Sequence, residues 1–143
     1  DRAQAWPTAP PRRITLAGRE DLPRHFLVSA VVAAEADRSL ADAVGLTKEV
    51  DDSRGGSGFS FVDMAADRAG TRFGERAVSA ASALQVAVAA GAPESAIMPD
   101  IARLPESMTE GEFIARFGGV GAARYQAMID TIERRVSEVP LLR

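Results

Sequence analysis

Five side chains in this sequence have the types and spacing to do chemistry together: His25, Glu49, Asp52, Asp63 and Asp67. An imidazole and several carboxylates support three kinds of work. They donate and accept protons, they ligate a hard or borderline divalent ion, or they hydrogen-bond a polar partner. Each also has an ordinary structural role. Asp63 stands three residues after Ser60, the place of a capping-box acid that also favours a helix dipole. Glu49 and Asp52 fit a solvated helix end. Asp67 lies beside Arg68 and Arg72 and fits half of a surface ion pair. His25, the sole histidine, fits a buried structural ring.

Helical periodicity decides whether the five converge. His25 and Ser29 are four apart and share a helix face. Gly45, Glu49 and Asp52 share a second face, and Asp63, Asp67, Gly70 and Gly74 a third. Each of three successive helices thus carries a stripe of small or acidic residues besides its apolar one. Glycine inside a helix costs roughly 1 kcal/mol, which is tolerated where backbones approach closely. If the stripes face one another, His25, Glu49, Asp52, Asp63 and Asp67 meet between the first three helices.

The elements that position them are read from caps and breakers. Pro7, Pro10 and Pro11 make residues 1–20 an extended arm, which Trp6 and Ile14 could pin to the body. A single helical domain spans 21–143. Its first helix starts at Asp21 as cap with Pro23 in the first turn, and runs to about Ala36. The second starts at Ser39, with Asp42 three residues on, and ends near Asp51. Residues 53–58 (Ser-Arg-Gly-Gly-Ser-Gly) read as a loop. The third starts at Ser60 and continues to about Ala90, with a kink near Gly70 and Gly74, and is the central and most buried element. Gly91 and Pro93 stop it. Residues 93–108 read as a loop with one short helix. Thr109-x-x-Glu112 opens a helix closed by Gly118-Gly119, and the last helix spans 121–138 on a stripe of Tyr125, Met128, Ile129, Ile132 and Val136. With no sustained period-2 alternation, the expectation is all-α: a compact bundle of about five helices behind an irregular arm.

Composition narrows the function. A length of 143 residues with 46% hydrophobic and 26% charged residues fits one globular domain. A net charge of -3 excludes a global nucleic-acid signature. Residues 35–67 carry eight acids against Arg38, Lys48 and Arg54, which suits a metal, a cationic partner, acid–base work or simply a solvated face. The absence of cysteine excludes disulfides, thiol nucleophiles and thiolate metal sites. One lysine beside sixteen arginines reads as base composition. The longest uncharged run, Ala77 to Ala92, falls short of the ~20 residues that span a bilayer. The sequence opens on Asp1 rather than Met, which fits removal of an upstream signal or anchor. The Gly-rich 55–58 stretch lacks the Lys-Ser/Thr and preceding strand of a phosphate loop.

The segments Arg24-His25-Phe26, Lys48-Glu49-x-x-Asp52 and Gly58-Phe59-Ser60-Phe61-x-Asp63-x-x-x-Asp67-x-x-Gly70 resemble the YfiM-like family of small bacterial envelope lipoproteins. The order His-Phe, Glu, Asp-x-x-x-Asn/Asp-x-x-Gly is similar, more distantly, to the VanZ-like membrane family, from which this chain departs in lacking spanning helices. The resemblance covers residues 24–74. It implies a periplasmic or envelope location and a shared polar site at His25, Glu49, Asp63 and Asp67, with no secure activity attached.

Three functions follow, and whether the chain is an enzyme stays open. The first is a non-catalytic envelope module that binds an envelope component or protein partner through the polar site, or through an aromatic hairpin built on Phe113, Phe117 and Tyr125. The second is a hydrolase of lysozyme-like layout acting on envelope glycan, with Glu49 as general acid and Asp52 or Asp63 as second carboxylate. No row of sugar-binding aromatics accompanies it, since Trp6 lies in the arm. The third is a divalent-metal site drawn from His25, Glu49, Asp63 and Asp67. No particular cofactor is specified by the sequence.

Overall fold

The computed structural model describes residues 13–36 and 38–143. The expected Pro-rich stretch with Trp6 lies outside the described residues, as does the Ser39 capping side chain. The described residues form six α-helices: α1 (Leu22–Glu35), α2 (Arg38–Gly55), α3 (Phe61–Ser79), α4 (Ala81–Ala89), α5 (Glu110–Phe117) and α6 (Ala123–Glu138). A single 3-10 turn, Glu94–Ala96, lies between α4 and α5. There is no sheet among the described residues, so the all-α bundle holds.

The central element is α3. Ser60, in extended conformation, caps it by accepting a hydrogen bond from the Asp63 amide at 3.1 Å. Its first eleven residues are buried except Arg68, and it packs against α1, α2 and α6, most extensively against α1. The close crossing with α1 depends on two glycines. A Cβ at Gly70 would stand 2.0 Å from the Phe26 carbonyl oxygen, and one at Gly74 would stand 2.2 Å from that of Ala30. No larger residue fits without separating the helices.

Several boundaries differ from expectation. The third helix runs unbroken through Gly70 and Gly74 but ends at Ala80, whose backbone (φ -140, ψ 41) leaves the helical region, and α4 follows as a separate, mostly exposed helix. That division raises the count from five to six. The second helix runs on to Gly55, so the loop before α3 is only residues 56–60. Asp21 makes no side-chain cap; its carboxylate accepts from Arg19 instead. The Thr109/Glu112 capping box forms in full, and Gly118 ends α5 at φ +82.

The aromatic part of the apolar core gathers where α3 meets α5 and α6, and Leu22 and Phe26 of α1 extend the core. Phe59 stacks on Phe113 at 3.9 Å between ring centres, and Phe61 meets Phe117 edge-on at 4.8 Å. Tyr125, Ile129, Ile132 and Val136 of α6 complete this core. A pair of backbone hydrogen bonds between Phe59 and Met108 ties the α2–α3 loop to the segment before α5.

Candidate functional site

Between α1, α2 and α3 the interior is polar. His25 and Ser29 come from α1, Glu49 from α2, and Asp63 and Asp67 from α3, and all five are buried. The stripes do face one another. His25 Nδ1 lies 3.3 and 3.4 Å from the two carboxylate oxygens of Asp67, and Ser29 Oγ donates to Asp67 Oδ1 at 2.9 Å. A carboxylate accepts only, so this contact places the imidazole proton on Nδ1. His25 Nε2 then faces Asp63 Oδ2, 3.4 Å away. One ligand-capable atom each from His25, Glu49 and Asp63 lie within 4.8 Å of one another. Gly45 makes room for the arrangement, because a Cβ there would stand 2.9 Å from Asp67 Oδ2.

Glu49 is 0% exposed. Its Oε2 accepts the Ser60 backbone N–H at 2.9 Å, which ties α2 to the start of α3. Its Oε1 accepts no hydrogen bond, and neither does Asp63 Oδ1. Two cations stand nearby at 3.5 Å, Lys48 Nζ from Glu49 Oε1 and Arg19 Nη2 from Asp63 Oδ1. Both have closer partners elsewhere: Lys48 bonds Asp52, and Arg19 bonds Asp21 and Glu106.

Burial, reinforced by the charge of Asp63, pushes the Glu49 carboxyl up to about 7. Burial also raises Asp63, against the opposing pull of His25 and Arg19. For His25, burial favours the neutral ring, but its contact with Asp67 and the charges of Asp67 and Asp63 outweigh that and leave it raised. The cluster therefore retains protons near neutrality that free side chains would release.

Four of the five expected residues come together. Asp52 does not join them: it is half-buried on the outer side of α2, paired with Lys48 one turn back and with Ser57, and its carboxyl is held below the usual range by Lys48. Arg54 pairs with Glu110, while Arg68 pairs with Asp42 and Glu133; the cations near the cluster are Lys48 and Arg19. Arg19 was not legible from helical spacing, because it reaches the site from a tight turn at Leu16–Arg19 ahead of α1.

A cavity of about 80 Å³ borders the cluster, lined by His25, Ser29, Val44, Gly45, Lys48 and Asp67 among others. A larger groove of about 520 Å³ runs between α2 and α5, with Leu46, Val50, Arg54, Glu110, Phe113 and Ile114 on its walls. Phe113, Phe117 and Tyr125 are themselves buried in the core.

Fold and site together define a small helical bundle with a buried histidine–carboxylate cluster. Compared with known proteins, the chain matches no family model, no curated protein and no solved structure.

Proposed function

We propose that this chain is a non-catalytic binding module of the bacterial cell envelope, organised on the His25, Glu49, Asp63 and Asp67 cluster. One observation carries the reading: the four residues picked out by the resemblance to YfiM-like envelope lipoproteins meet in one buried cluster across three helices. Buried carboxylates are costly unless protonated, paired or ligated. An apolar interior would serve folding at least as well, so a binding role accounts for their placement.

The hydrolase reading has the raised Glu49 in its favour. The Glu49 and Asp63 oxygens also approach within 4.8 Å, close to the about 5–5.5 Å of retaining glycosidases. Access speaks against it. A general acid must reach the glycosidic oxygen, whereas Glu49 is wholly enclosed and the adjoining cavity of about 80 Å³ is far below the about 300–1,000 Å³ of ordinary ligand pockets.

The test is fractionation of source cells expressing the tagged full-length protein, paired with incubation of the purified protein on envelope glycan. The proposal expects recovery with the envelope, and no more glycan fragments from wild type than from Glu49→Gln. Recovery in the cytosol would overturn the location. Glycan release by wild type that Glu49→Gln abolishes would replace the module with a hydrolase.

A further inference from the structure

We infer that His25, Glu49 and Asp63 form a three-residue site for a divalent cation of the zinc type, with Asp67 positioning the imidazole from behind. The inference rests on the reading of this cluster as the chain's functional centre. It starts from direction. Asp67 engages Nδ1, so Nε2 is turned towards Asp63 and offers its lone pair there once its proton leaves. Three ligand-capable atoms then converge in a buried space, where a bound cation would take the place of the protons they otherwise hold.

The spacing suits a metal ion. Bonds of about 2.1 Å in a tetrahedral shell separate neighbouring ligand atoms by about 3.4 Å. His25 Nε2 and Asp63 Oδ2 are 3.4 Å apart, and all three ligand atoms lie within 4.8 Å, so a small inward movement of Glu49 closes the set. A carboxylate behind a ligating imidazole is the usual way a protein orients such a ring and strengthens its donation. Asp67, itself held by Ser29, stands in that place.

A second observation is independent of the spacing. Buried polar atoms are nearly always hydrogen-bonded, yet Glu49 Oε1 and Asp63 Oδ1 have no hydrogen-bond partner. They belong to residues 0% and 5% exposed. Lys48 and Arg19 reduce the local negative charge without filling these positions, since each is engaged more closely by other carboxylates. A cavity of about 80 Å³ reaches His25 and Asp67 from outside, though neither Glu49 nor Asp63 lines it. One imidazole with two carboxylates favours a borderline ion such as zinc over magnesium or calcium, which take oxygen ligands.

The test is calorimetric titration of zinc, and separately of magnesium, into chelator-stripped protein. The expected result is one zinc per chain, with magnesium weaker by about 100-fold or more. His25→Gln and Asp63→Asn should each weaken zinc at least about tenfold, and Asp67→Asn by about 10–100-fold. Asp130→Asn, an exposed acid on α6 bonded to Gln126, should stay within about twofold. Circular dichroism checks that each variant is folded, and a variant that is not leaves the decision to the wild-type titration. The inference is overturned if wild type takes up no zinc, or if Asp130→Asn weakens it as much as Asp63→Asn does. The cluster would then be an ion-pair network closed by Lys48 and Arg19. Zinc uptake is read on purified protein, so its failure leaves the envelope reading standing. A cytosolic protein with an intact zinc site would be the reverse outcome.

Discussion

The two faces of α3 keep opposite company. Towards α5 and α6 it meets stacked and edge-on aromatic rings and the aliphatic stripe of the last helix. Towards α1 and α2 it meets, beside Leu22 and Phe26, a histidine, a glutamate and a serine, with Asp63 and Asp67 from its own surface between them. The aromatic side needs no purpose beyond folding, because burying such rings is favourable in itself. The polar side is the opposite case. It holds three buried acids and two carboxylate oxygens without hydrogen bonds, which an apolar packing would avoid. One helix thus stands between an aromatic cluster and a buried polar one.

If that division is real, damage on the aromatic side should be large and confined to stability. Phe113→Ala removes a ring stacked on Phe59 and should lower unfolding free energy by about 3–5 kcal/mol in denaturant titration. The folded fraction should keep the zinc response of the wild type. Loss of both together would merge the two halves into one.

The polar side should instead reveal itself through pH. In chelator-treated protein the Glu49 carboxyl sits at about 7 when folded, against 4.5 when free. The folded state therefore binds the extra proton between these values, and stability falls as pH rises through them. The shift corresponds to on the order of 3 kcal/mol. His25 is raised above 6.5, so its contribution is present below that value and lost as pH climbs past the folded one, in the same direction. Melting temperature should thus decline from about pH 5 to pH 8, and Glu49→Gln should flatten most of the decline. A stability that rises over this range would show that the acids are ionised and well paired.

The seam between α1 and α3 should be intermediate. Gly70→Ala drives a Cβ to 2.0 Å from the Phe26 carbonyl and should cost about 1–3 kcal/mol through forced separation of the helices. Gly111→Ala on α5 meets nothing within 4 Å and should gain up to about 1 kcal/mol. Equal melting shifts for the two would mean that the glycine seam is not tight.

Much of this arrangement was legible in the amino-acid sequence. Ser60 and Thr109 capped helices as expected, because a hydroxyl followed by an acid three residues on satisfies the free amides locally. His25, Glu49, Asp63 and Asp67 met as their spacing required, since helical faces persist when neighbouring helices pack through short connections. The illegible parts depend on tertiary contact. No glycine or proline marks the break at Ala80, whereas Gly70 and Gly74, which looked like a kink, lie within the unbroken helix where α1 crosses it closely. Residues 53–55 looked like loop, but they complete the last turn of α2, where Ser53 Oγ donates to the Val50 carbonyl. That continuation leaves Asp52 paired one turn back with Lys48 rather than facing the cluster. Arg19 lies outside any helical period, and only the turn at Leu16–Arg19 brings it to Asp63.

The central claim is that Nε2 of His25 is a vacant donor aimed at two carboxylates. Because His25 is the only histidine in the chain, its two ring nitrogens are the only imidazole signals in a ¹⁵N-labelled sample. Long-range proton–nitrogen spectra of chelator-stripped protein at about pH 8, above the ordinary histidine range, should show a protonated Nδ1 and a bare Nε2. Stoichiometric zinc should then move Nε2 while Nδ1 keeps its proton. Nitrogen signals that are already those of a doubly protonated ring, and that stay unchanged when zinc is added, would contradict the account.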